Sequence, residues 1–148
     1  MHRTFMRSAL AQAKAALQDG EVPVGALIVA PDGEVLSAAH NLRESRHDPT
    51  AHAEILALRA AGERLGNWRL SGTTLYVTLE PCPMCAAAIV AARVARVVFG
   101  AQDPRLGAAG SRLQLFAELE QESPVDVIGG VMEEEASALL RSFFAERR

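Results

Sequence analysis

TLYVTL at Thr74–Leu79, EPCP at Glu80–Pro83, MCAAAIVAAR at Met84–Arg93 and VARVVFG at Val94–Gly100 form one continuous run. The first block is β-branched and aromatic enough for a central strand. Glu80-Pro81-Cys82-Pro83 ends that strand, and Pro83 suits the first position of a helix, where an N–H would have no partner. The helix block is apolar almost all round and is expected to be buried. Val94–Gly100 then reads as the next strand. Two strands joined through one helix by short links predict a parallel, right-handed βαβ unit. In open α/β sheets, sites form beyond the carboxyl ends of strands, and Cys82 and Cys85 lie just beyond one.

Upstream of that run, Phe5, Ala9, Leu10, Ala13, Ala16 and Leu17 fall at helical spacing over residues 4–18, with Asp19-Gly20 as a stop. Val24–Ala30 reads as a buried strand, Pro31-Asp32-Gly33 as a turn, and Glu34–His40 as the returning strand of a hairpin. Asn41–Pro49 is a polar loop. Asp48-Pro49, or Thr50, is expected to start a helix that runs to about Gly62. Residues 63–73 are a connection holding the lone tryptophan, Trp68. Downstream come a small-residue loop over 101–111, a short helix over 112–118, a weak strand over 125–128 and a closing helix over 132–146. The expected architecture is α/β, one domain over 1–148, with a central mixed sheet of about five strands between two helical layers.

A chain of 148 residues buries about 68–70% of its unfolded surface and needs no staples. Both of its cysteines lie in the run quoted above, which leaves none for a structural disulfide. The start, Met1-His2-Arg3-Thr4-Phe5, enters a helical pattern rather than a leader, and no apolar run reaches the roughly 18 residues a membrane span needs. These features predict a cytoplasmic protein with no membrane partner. The net charge is −3, unevenly spread: residues 41–112 hold nine arginines against six acids, and 113–140 hold seven acids and no base. That asymmetry suits a basic patch near the cysteines, or an ordinary solvated surface.

The chemistry lies in His52-Ala53-Glu54 and Cys82-Pro83-Met84-Cys85. A catalytic zinc takes three protein ligands and keeps a fourth position open. His52, Cys82 and Cys85 make three. Glu54 is then free to move protons for a water that zinc acidifies toward neutral pH. Residues i and i+2 on a helix point about 200° apart, so His52 and Glu54 can converge only off the helix end. A C-x-x-C pair alone could be redox-active or half of a structural zinc site, which His2, His40 or His47 could in principle complete. With His-x-Glu upstream and no third cysteine, catalytic zinc is the reading preferred.

The stretches EVPVGA (21–26), RHDPTAHAEI (46–55), TLEPCPMC (78–85), VVFGAQD (97–103) and GAAGS (107–111), with FFAERR at the end, closely resemble the bacterial TadA-type tRNA adenosine deaminases. The resemblance covers nearly the whole chain. It implies a cytidine deaminase-like αβα fold, one zinc per subunit and a homodimer. It further implies hydrolytic conversion of adenosine to inosine at the wobble position of a tRNA anticodon, chiefly an arginine tRNA, with the target base flipped into the zinc pocket. Asn41 matches the position that contacts the target nucleoside, and its other role is a turn cap. Asp103 matches a position near the flanking nucleotide, or is a turn acid before Pro104. Arg105 and Arg112 are candidate phosphate contacts on the anticodon stem-loop. Phe143 and Phe144 could flank that loop or pack the last helix, and packing is preferred for the pair. The chain departs from the family pattern between Ser111 and Ile128. Its acidic stretch, 118–126, either faces away from RNA or counts against an RNA partner.

Two other functions fit the same residues. One is a deaminase of a free base or nucleoside, such as guanine, cytosine or cytidine. The other is a non-catalytic tRNA-binding or interaction domain with structural zinc, which would have no use for Glu54.

Overall fold

The computed structural model describes residues 1–119, 121 and 123–147. Glu120 and Glu122 of the acidic stretch and Arg148 of the tail lie outside the described residues. Among the described residues, five helices and five strands follow in this order: α1 His2–Gln18, β1 Gly25–Val29, β2 Val35–His40, α2 Ala53–Leu65, β3 Thr74–Leu79, α3 Pro83–Ala91, β4 Arg96–Ala101, α4 Leu115–Glu118, β5 Asp126–Ile128 and α5 Glu133–Glu146. The sheet order is β2-β1-β3-β4-β5. β1 pairs antiparallel with both β2 and β3, while β3–β4 and β4–β5 are parallel. This is the mixed five-stranded sheet expected, with the 74–100 run forming its parallel heart.

Strand side chains alternate between the two faces, and the core divides accordingly. Ala26, Ile28, Leu75, Val77, Val97 and Phe99 pack with Ala53, Ala57 and Ala61 of α2 and with Ala86 and Ile89 of α3. Leu27, Val29, Tyr76 and Val98 pack instead with Met6, Ala9 and Leu10 of α1 and Ala136 of α5. Each interior strand is therefore apolar on both sides, which is why VGALIVA and TLYVTL read as continuous runs rather than alternating ones.

Two local expectations need correction. α2 starts at Ala53, not near Asp48–Thr50. Asp48 Oδ1 accepts hydrogen bonds from the Thr50 N–H (2.9 Å) and hydroxyl (2.7 Å), and the His52 N–H donates to Thr50 O (2.8 Å). Those turns occupy the backbone that an earlier helix start would need. α2 also runs past Gly62 to Leu65 and stops at Gly66, whose φ of +65° is the left-handed conformation glycine adopts freely. The second correction concerns α3. It is buried along one side only: Cys85, Ala86 and Ile89 are inside, while Ala87 and Ala91 are exposed.

Gly25 marks the closest approach of α1 to the sheet. A Cβ there would fall on the backbone of Ala9 and Ala13. Gly25→Ala is expected to destabilise the fold by about 1–3 kcal/mol, because the helix must lift off β1 to admit the methyl group. A chemical denaturation midpoint unchanged from wild type would show that α1 does not press on this residue.

Candidate active site

The sheet topology brings the candidate residues to one end of the molecule. β2, β3 and β4 run in the same direction, so Asn41, Glu80 and the 102–112 loop emerge together, beside Val22–Val24 at the entry to β1. α2 and α3 then begin at this end. Their N-cap residues are His52 and Cys82, both with extended backbone (ψ 152° and 172°) and neither making a side-chain capping hydrogen bond. Cys85 lies one turn into α3 and is fully buried. His52 and Glu54 thus converge off the end of α2, as their spacing requires.

His52 Nδ1 lies 3.6 Å from Cys82 Sγ and 3.5 Å from Cys85 Sγ. Tetrahedral zinc with Zn–N of about 2.05 Å and Zn–S of about 2.3 Å requires N···S separations of about 3.5 Å. The three donor atoms all lie within 4.8 Å of one another, and they form the one such metal-holding group among the described residues. One imidazole and two sulfurs are donors zinc favours. The residues present fit the ion.

Glu54 is 4% exposed, and burial pushes its carboxyl up to about 7. The hydrogen bond from the Cys85 thiol holds Cys82 down to about 4, and the reverse interaction, with burial, pushes Cys85 up. His52 is raised, chiefly by its hydrogen bond to Cys82. A cation held by these atoms would need both sulfurs as thiolates and the imidazole neutral, so its binding would release protons from them.

A cavity of about 120 Å³ opens over these groups, with Asn41, Arg43, Asp103 and Leu106 among the residues around it. Asn41 is buried and already bonded: its Nδ2 donates to Val22 O (3.3 Å), and its Oδ1 accepts from the Arg43 N–H (3.1 Å). Asp103 Oδ1 accepts from the N–H groups of Arg105 (3.0 Å) and Leu106 (3.3 Å). Both residues thus act in turns and also line the pocket. Arg105 and Arg112 are exposed and do not line it. The two phenylalanines part company. Phe143 is buried with the Arg147 guanidinium 4.0 Å above its ring, as expected of core packing, whereas Phe144 is 48% exposed, against that expectation.

Two residues of the site went unread in the sequence. Glu21, 1% exposed, accepts hydrogen bonds from the N–H groups of Glu44 (3.0 Å) and Ser45 (2.7 Å) and from the Ser45 hydroxyl (2.6 Å). It ties down the loop that leads to His52. Glu80, 2% exposed, does the same for the loop that carries Asp103. Each acid is followed within two residues by a proline, Glu21 by Pro23 and Glu80 by Pro81, which was the signal available.

A family model for the cytidine and deoxycytidylate deaminase zinc-binding region matches residues 1–101. A tRNA-specific adenosine deaminase of Bacillus subtilis is 49% identical over 97% of this chain and 89% of its own length. A solved structure from studies of A-to-I editing by tRNA:A34 deaminases at the wobble position aligns with a TM-score of 0.88 and 46% identity, covering 93% of this chain and 99% of its own. A guanine deaminase of Nitrosomonas europaea aligns with a TM-score of 0.82 and 27% identity, over 95% and 82% of the two chains. The chain belongs to the zinc deaminase family that the model describes and, within it, to the tRNA-specific adenosine deaminases.

The hydrogen bonds to Glu21 have a pH consequence. Burial alone would raise its carboxyl, but the Ser45 hydroxyl and the two backbone donors outweigh that and hold it below the usual range. A depressed folded-state pKa stabilises the fold above the unfolded value, about 4.3, and the contribution fades as pH falls through the folded value. Glu21→Gln should therefore be less stable than wild type at pH 7, with the gap closing below about pH 4. A gap that widens on acidification in denaturation curves would contradict this sign.

Proposed function

We propose that the chain converts adenosine to inosine at the wobble position of a tRNA anticodon, with His52, Cys82 and Cys85 holding zinc and Glu54 moving protons. The observation that carries the chemistry is the buried Glu54 at the pocket where His52 Nδ1 stands 3.5–3.6 Å from the Cys82 and Cys85 sulfurs. Zinc supplies a water acid enough to act as a nucleophile near pH 7. Glu54, buried at the same pocket as His52 and Cys82, would be placed both to take a proton from that water and to return it. It delivers protons to the ring nitrogen and to the departing amine. Adenosine and water thereby become inosine and ammonia. Asn41 contacts the target nucleoside from the rim of the pocket, and Asp103 lies toward a neighbouring nucleotide.

The substrate reading rests on the relatives. The anticodon stem-loop is the partner that presents the base, which must leave its stack to enter a pocket of this size. Exposed cations suit the RNA backbone: Arg43 at the pocket, and Arg105 and Arg112 on the loop beyond it. Phe144 offers an exposed ring on which a base can stack.

The test is inosine formation at the wobble adenosine of a synthetic anticodon stem-loop, with free adenosine, cytidine and guanine in parallel. The stem-loop should be converted and the free compounds poorly turned over. Turnover of free guanine alone would instead favour the activity named for the Nitrosomonas relative. Glu54→Gln should keep zinc and fold and lose about 10²–10⁴ in rate. Near-wild-type turnover in that variant would remove Glu54 from the chemistry.

A homodimer fits the open side of α3. Ala88, Ala91 and Ala92 face Ile55 and Leu58 of α2 across a groove that also holds Trp68, which is 56% exposed. An apolar strip of this kind is suited to a second copy of the chain. Ala91→Arg, at an exposed position, should shift the sedimenting species from dimer to monomer without loss of helix content. A dimer that persists in that variant would place the interface elsewhere.

A further inference from the structure

The proton chemistry assigned to Glu54 makes no use of the buried Glu80 carboxylate. Glu80 stands at the carboxyl end of β3, two residues before Cys82, and every hydrogen bond its carboxylate accepts comes from one loop. Oε1 accepts from the Asp103 N–H (3.1 Å) and from the Ser111 hydroxyl. Oε2 accepts from the N–H groups of Ala109 (2.9 Å) and Ser111 (3.0 Å). Two backbone links run alongside: the Glu80 N–H donates to Ala101 O, and the Ala108 N–H donates to Pro81 O, each at 2.8 Å. Gly107 closes over the carboxylate so tightly that a Cβ there would fall on Glu80 and on Asp103 O.

An ionised carboxylate is costly to bury unless its oxygens are satisfied. Three of the four partners are backbone N–H groups, spread over both carboxylate oxygens, and an amide offers an acceptor at only one of those two positions. In either orientation a glutamine would aim its NH2 at an N–H of the loop, that of Asp103 or those of Ala109 and Ser111. The loop held in this way carries Asp103 and Leu106 to the pocket that contains His52, Glu54 and Cys82.

We propose that Glu80 is a positioning residue: its carboxylate sets the Asp103–Ser111 loop in the free enzyme and so forms one wall of the substrate pocket before RNA arrives. This rests on the proposed activity of the same site. A wall formed in advance lowers the ordering that binding must otherwise drive. The effect therefore belongs to substrate binding, not to the proton steps.

The experiment uses the zinc-loaded full chain. In the RNA-free wild type, the Asp103, Ala109 and Ser111 amides should be protected from hydrogen exchange by NMR, and Glu80→Gln should remove that protection. Zinc should stay at one per chain in the variant. Its KM for the stem-loop should rise about tenfold, with kcat within about twofold of wild type. Ser111→Ala, which removes one bond of the four, should show the same pattern at smaller size, and it serves if Glu80→Gln does not fold. Amides that exchange freely in the wild type would overturn the proposal. So would a fall in kcat at unchanged KM, or loss of zinc, either of which would make Glu80 a support of the metal segment. If the wild type converts no stem-loop, the proposed activity fails, while amide exchange in the two proteins still decides whether Glu80 sets the loop.

Discussion

Everything at the active end of this protein depends on two side chains, two residues apart, having to meet at one point. On the flank of a helix they would diverge by about 200°. The chain resolves this by holding His52 in extended backbone as the N-cap of α2, so that the imidazole and the Glu54 carboxylate both reach over the helix end. α3 repeats the device, with Cys82 extended as its N-cap and Cys85 one turn inside. Two helix starts facing one another therefore make the site. The positive helix ends act against the burial that pushes Glu54 and Cys85 toward their protonated forms.

The sheet is what lets two helix starts face each other. Because β2, β3 and β4 point the same way, the loops that follow them, and the helices those loops lead into, begin at the same end. Between those helix starts, the loops need anchoring. Glu21 holds the loop that enters α2, and Glu80 holds the loop that leaves β4. In both cases a buried carboxylate gathers backbone N–H groups of an irregular segment that no ladder would otherwise satisfy. The common logic is that precise placement of exposed loops comes from charge buried beneath them.

The sequence made the sheet, the βαβ heart and the grouping of His52, Cys82 and Cys85 legible, because each rests on local signals: strand composition, proline at a helix start, and ligand spacing. It misplaced the start of α2. Asp48-Pro49 carries good helix-start chemistry, and only the turns that Asp48 makes with Thr50 show that this backbone is already engaged. It also overstated the burial of α3. An all-apolar helix reads the same whether its second face meets a core or a surface open to another chain, and composition does not distinguish the two.

What the sequence by itself determined is the chemistry: one imidazole, two thiols and one carboxylate in spacings that allow a three-ligand metal and a proton carrier. Those depend on residue identity and short separations, which the chain states outright. What only the tertiary structure decided is the work done by Glu21 and Glu80, and the fate of each member of the Phe143–Phe144 pair. A carboxylate's partners here lie 23 to 31 residues away, and which ring is buried depends on what α5 packs against. Such contacts exist only once the strands have set their order, because the sheet brings distant loops together and no local propensity encodes that meeting.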